Sequence, residues 1–150
     1  MNKKTNYTTV ATSQKRSFSV TVGTNVGYLG FHDRQQADIH KAIFLIQQWI
    51  KDCIISDRPY LNGIVETAYI VYGYPNEHGR PVVSAEPIIK FSGVLSPAHD
   101  KSLTDADAIC ALNEIADILG QCYGQTRIYV EFCSETWVRQ HKGKSTPRQD

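Results

Sequence analysis

Residues Ser17 to Val22, SFSVTV, alternate strictly: Phe18, Val20 and Val22 on one side, Ser17, Ser19 and Thr21 on the other. A period of two predicts a half-buried strand. Gly23, Gly27 and Gly30 then punctuate the chain, so the strand ends in a loop or passes a bulge. From Arg34 to about Ile55 the period lengthens. Ile39, Ile43, Ile46, Ile50 and Cys53 recur at helical spacing, with Phe44, Leu45, Trp49 and Ile54 widening the apolar face. Asp33 is placed to cap this helix, with Gln36 three residues later.

Asp57, Pro59 and Asn62-Gly63 break the pattern. IVETAYIVYGY, 64–74, is β-branched and aromatic on both faces, the strongest strand signal in the chain. PNEHGRP reads as a turn and VVSAEPIIKFSGVL, 82–95, as the returning strand, with Pro87 predicting a bulge or an edge segment. Thr104 and Asp107 form a capping-box-like pair ahead of a stripe of Ile109, Leu112, Ala116 and Leu119. TRIYVEF, 126–132, alternates again and reads as the closing strand.

The order βαββαβ predicts an α+β fold: a ferredoxin-like sandwich with two helices on one face of a four-stranded antiparallel sheet. This resemblance lies in element order alone and carries no function with it. Helices on one side leave the other sheet face open. On 64–74 neither parity reads as a plain solvent face, because Val65, Thr67, Tyr69 and Val71 alternate with Glu66, Ala68, Ile70, Tyr72 and Tyr74. An exposed apolar face usually marks an interface, so the pattern predicts a homo-oligomer, a dimer or larger.

The chain length of 150 residues suits one domain, expected over 17–138. Flexible basic tails are expected at 1–16 and 139–150. They carry four and three net positive charges. With an overall charge of +1, the body between them carries six net negative ones. An acidic body weighs against a nucleic-acid binder, and no RNP1-like string is present. The longest uncharged apolar run, Ala42 to Ile50, is far short of the roughly 20 residues that span a bilayer. No apolar segment of signal-peptide type is seen near the N-terminus, so a cytoplasmic protein is expected. Cys53, Cys110, Cys122 and Cys133 lack metal-ligand spacing and read as small buried apolar residues.

Candidate chemistry is sparse. GTNVGYLG, 23–30, fits neither GxGxxG nor a phosphate loop, and its glycines read as turn residues. His32-Asp33 with His40 has metal-ligand residue types but no converging partner, so no metal, cofactor or catalytic set is assigned. The residues best suited to a ligand are Tyr28 and His32 after the first strand and Glu66, Tyr69, Arg127 and Glu131 on later ones. Together they offer aromatic walls and a few charges, the usual make-up of a small-molecule pocket. Arg127 is the most telling, because its planar fork suits a carboxylate or phosphate. The competing account is a cross-strand pair with Glu66 or Glu131.

Three functions follow. The leading expectation is a non-enzymatic homo-oligomer binding a small, anionic or nucleotide-like ligand or a protein partner. The alternative is a small enzyme whose site forms between subunits from carboxylates and His32 or His99. The third is a structural or assembly protein whose tails engage neighbours. Small tailed proteins without a catalytic signature are also common among mobile-element and viral accessory proteins.

Overall fold

The computed structural model describes residues 6–24 and 39–143. In chain order these form β1 (Ser17–Gly23), α1 (Ile39–Ile55), β2 (Ile64–Pro75), β3 (Pro81–Val94), α2 (Asp105–Cys122), β4 (Arg127–Phe132) and β5 (Glu135–Gln140). The strands make one antiparallel sheet in the order β2-β3-β1-β4-β5. The α+β architecture with two helices is as expected. The sheet, however, has five strands among the described residues, not four.

The fifth strand follows a two-residue turn at Cys133-Ser134, with Phe132 opposite Glu135. Cys133 takes a left-handed backbone, φ 55°. The usual signature of so tight a hairpin is Asn-Gly or Asp-Gly, and a cysteine there gives no such cue. β5 ends at Gln140, two residues beyond the boundary expected at 138.

Phe18, Val20 and Val22 of β1, Ile128, Val130 and Phe132 of β4 and Ile89 and Phe91 of β3 meet both helices in one apolar cluster. α1 buries Ala42, Ile46, Trp49 and Cys53. The helix is therefore turned so that Ile43 and Ile50, expected at the stripe's centre, stand at its half-buried margin. α2 buries Leu112, Ile115, Ala116 and Leu119 and begins with both hydrogen bonds of the Thr104–Asp107 capping box. It lies so close to β4 that a Cβ on Gly120 would stand 2.3 Å from the Ile128 side chain.

Polar contacts fix the helices. Glu114 of α2 accepts hydrogen bonds from Trp49 Nε1 at 2.9 Å and Arg58 Nη1 at 2.8 Å, tying α1 and its following loop to α2. Arg16 pairs with Asp105 at 2.6 Å, donates to the Leu103 carbonyl and lies 5.9 Å from the Phe132 ring centre. Arg139 grips Asp117 through two hydrogen bonds, and Trp137 Nε1 donates to Asn113. Two of the basic residues assigned to the tails thus clamp α2 to the sheet.

Pro87 brings no bulge. The β2–β3 register runs unbroken from Ile64↔Ser92 to Pro75↔Pro81. β1 pairs with β3 only as far as Gly23↔Ile88, and the Pro87 carbonyl accepts from Thr24 beyond it. The missing proline N–H faces the β1 side just beyond Gly23↔Ile88, the last pair of that ladder among the described residues, so no ladder bond there is lost. Past that point, among the described residues, β2 and β3 continue as a two-stranded arm. On the helix side of the arm Tyr69, Val71 and Val83 are 64%, 78% and 78% exposed, so the helices do not cover it.

Candidate functional site

The sheet register assigns each candidate to a face. Thr21 pairs with Lys90 and Tyr129, and Lys90 pairs with Glu66. These four stand in one row on the face away from the helices. The next row toward the N-terminal end of β1 is Ile64, Ser92, Ser19, Glu131 and Thr136. In the other direction come Ala68 and Ile88, then Ile70 and Glu86, then Tyr72 and Ser84 on the arm.

Glu66, Arg127 and Glu131 therefore share the open face, but Tyr69 lies on the opposite one. Glu66 and Tyr129 are separated by three strand spacings, about 14 Å. Neither expected partner of Arg127 meets it: no ion pair joins it to Glu66 or Glu131 among the described residues. Glu131 instead accepts from the buried Ser19 hydroxyl at 3.1 Å. Tyr28, His32 and the Asp33 cap lie outside the described residues. His99 follows β3 at its far end, in a turn where its backbone N–H donates to Ser96 Oγ.

A tighter group sits on the arm. Tyr72 and Tyr74, two residues apart on one face, stack with ring centres 6.4 Å apart and planes 10° from parallel. Tyr72 Oη donates to Glu86 Oε1 at 3.1 Å, across the hairpin. The hairpin is closed by Asn76, whose side chain accepts from the backbone of His78 and Arg80. The hydrogen bond of Ser84 draws the Tyr72 phenol's pKa down. Desolvation, reinforced by the Glu86 hydrogen bond and charge, outweighs it and holds the phenol above its ordinary value. Tyr72 is thus a proton-bearing donor at neutral pH. The group combines aromatic faces, a carboxylate and a hydroxyl, which suits a planar or cationic ligand.

The sequence shows Tyr72 and Tyr74 sharing a face and shows Glu86 as a strand carboxylate. What it lacks is the register that puts Glu86 beside Tyr72. A second depression, between α2 and β5, is lined by Ile109, Asn113, Glu135, Thr136 and Trp137. Its Trp137–Asn113 hydrogen bond already occupies the main polar groups there. Among the described residues no cluster of three or more His, Cys, Asp or Glu is placed to hold a metal.

An antiparallel sheet layered on one side by two helices is shared with solved structures. No protein family and no curated protein matches the sequence. A phage SAM lyase in complex with S-methyl-5'-thioadenosine superposes with a TM-score of 0.59 at 14% identity. The match covers 90% of this chain and 96% of that one. A phage SAM lyase in the apo state gives a TM-score of 0.55 at 12% identity, over 87% and 92%. At such identity the likeness is one of fold. It overturns the non-enzymatic reading, because that reading rested on missing catalytic motifs and the same scaffold serves an enzyme in both structures.

Proposed function

We propose that the protein is a small enzyme that cleaves a carbon–sulfur bond of an adenosyl sulfonium such as S-adenosylmethionine, and that Tyr72, Tyr74 and Glu86 form part of its site. The observation that carries this reading is the end-to-end likeness to a lyase bound to S-methyl-5'-thioadenosine, the thioether such a cleavage releases. The sheet order β4-β1-β3-β2 supports a ferredoxin-like core, with β5 added beside β4.

The chemistry asks little of the protein. When the bond between sulfur and the side-chain γ-carbon breaks, its electron pair returns to sulfur. A cation becomes a neutral thioether, and no proton is needed at the leaving group. The γ-carbon is satisfied either by loss of a β-proton to a base or by attack of the substrate's own carboxylate oxygen, which closes a lactone. Either course consumes no water. Glu86 is the natural proton acceptor in the first course and a counter-charge for the sulfonium in both. The tyrosine faces attract the cation, and Tyr72 orients the Glu86 carboxylate.

The arm supplies one wall of such a site. Ile70, exposed on the same face as Tyr72 and Glu86, supports assembly of two or more copies through that face, which would bring a second wall to the site.

Calorimetry with S-methyl-5'-thioadenosine, together with chromatography of incubated S-adenosylmethionine, tests the reading. Wild type is expected to bind the thioether and to release it from the sulfonium. Glu86→Gln should lower turnover by about 10²-fold or more, and Tyr72→Phe by less. A wild-type protein that neither binds the thioether nor produces it overturns the proposal.

A further inference from the structure

We propose that β2 pairs along its outer edge with β2 of a second copy, antiparallel about a two-fold axis at Tyr69, and so sets Glu66 of the partner subunit beside Tyr72. The role of Glu66 rests on the function proposed above; the pairing does not.

The ladder fixes which backbone groups point outward. In an antiparallel strand a residue's N–H and C=O share one side, and that side alternates along the chain. Thr24 N donates to the Pro87 carbonyl and Leu95 N to the Arg16 carbonyl, so odd-numbered residues of β3 face β1. Even-numbered ones face β2, and Asn76 N donates to the Arg80 carbonyl just past the last pair. The register then leaves Val65, Thr67, Tyr69, Val71 and Gly73 with both polar backbone groups aimed away from β3. β2 is the outer strand on that side of the sheet, and among the described residues no other strand meets those groups.

This edge lacks the features that protect outer strands. β2 runs for twelve residues without a bulge, carries Glu66 as its one charge and holds no proline before Pro75. Only Val65 and Tyr72 are even half-buried. At the opposite edge β5 has six residues, includes Glu135 and Arg139, and turns only Thr136, Val138 and Gln140 outward. A long, flat, apolar edge is a template for another strand, held by main-chain hydrogen bonds.

β2 is complementary to itself. With Tyr69 opposite Tyr69 of the partner subunit, Val65 meets Gly73 and Thr67 meets Val71. Every outward residue then finds an outward residue, in about ten hydrogen bonds. A shift of two residues sets Val65 opposite Pro75, which has no N–H, or Gly73 opposite Gly63, beyond the strand. Ile70 comes to lie against Ala68 from the other copy, so apolar groups exposed on the open face cover one another. A parallel, in-register pair would instead set Glu66 on Glu66. The antiparallel pair puts Glu66 opposite Tyr72, about 4.5 Å away at the backbone. Within one chain six residues of strand, about 20 Å, separate the two. The exposed Glu66 thereby joins Glu86 around the tyrosines as a second carboxylate for a cationic ligand.

Light scattering at tens of micromolar reads the pairing. Wild type is expected to be a dimer and Tyr69→Pro a folded monomer, because proline removes an outward N–H and leaves the bonds to β3 intact. Thr67→Lys sets a lysine on the same edge and should also give a monomer, independently of any strain from the proline. Oxidation reads the register. Tyr69→Cys should link two chains, its Cα atoms lying about 5.5 Å apart at the axis. Val65→Cys, about 27 Å from its counterpart, should link no more than wild type. A monomeric wild type, an assembly that survives both edge variants, or a Tyr69→Cys protein that links no better than wild type overturns the pairing.

Glu66→Gln should lower turnover of S-adenosylmethionine by about tenfold or more. Equimolar mixing with Glu86→Gln should restore about a quarter of the wild-type sites, since half the dimers are mixed and each of those holds one intact site. Full turnover by Glu66→Gln, or a mixture no more active than its parts, overturns the role of Glu66. A dimer that neither turns over the sulfonium nor binds S-methyl-5'-thioadenosine overturns the functional reading and the role of Glu66 with it, while the pairing stands.

Discussion

Tyr72 gives the residue scale its clearest consequence. Its folded pKa lies above the unfolded one, against the pull of Ser84, because burial and Glu86 both favour the protonated phenol. A group with a raised folded pKa holds its proton more tightly in the native state. The stability it contributes is complete below the unfolded value near pH 10 and is lost as pH rises through the folded value. Thermal melts of wild type and Tyr72→Phe from about pH 8 to 11 should therefore converge as pH rises, since the phenylalanine variant lacks the group that titrates. Parallel curves would remove the environment described for Tyr72. Burial and the nearby Glu114 likewise push the Cys53 thiol up. Its alkaline titration is common to both proteins and cancels in the comparison.

Elements were legible where pattern alone decides them and illegible where a turn or a partner decides them. The Thr104–Asp107 cap and the Leu112, Ala116 and Leu119 part of the stripe needed only local spacing and formed, while Ile109, expected in the same stripe, stands half-buried. In α1 the helix was visible but its rotation was not, because apolar residues surround so much of it that Ile43 and Ala42 compete for the core. β5 carries two large apolar residues, Trp137 and Val138, and follows a turn without glycine or asparagine. Its place is fixed instead by Trp137 on Asn113 and Arg139 on Asp117, contacts between residues over twenty positions apart. A chain stopped after Ser134 should lose more than about 10 °C in Tm or become insoluble, because it bares the β4 edge as well as losing these contacts. A chain stopped after His141 should melt with the full-length protein. Equal melting of all three would show that β5 is an ornament to the sheet.

At the scale of the whole molecule, the apolar residues on both sides of 64–74 were legible in the sequence, but the arm was not. The pattern of 64–74 shows apolar groups on both faces; how far the helices reach along them depends on packing across the whole sheet. The outcome is that Tyr69 and Val71 on one side and Ile70 on the other are all exposed, at 64%, 78% and 37%. A charge at any of them meets water and leaves the core intact, so these positions separate assembly from folding. A self-associating protein should scatter light as a dimer or larger at tens of micromolar. Val71→Glu and Val83→Glu should give a folded monomer with a wild-type circular dichroism spectrum, because both project from the uncovered side of the arm. If the second wall of the site comes from another copy, Ile70→Glu, on the same face as Tyr72, should also lose turnover with Tyr72 and Glu86 untouched. Turnover retained in a proven monomer would confine the site to one chain. Wild type that is monomeric throughout that range would remove assembly from the account, leaving the arm's apolar surface to some other purpose.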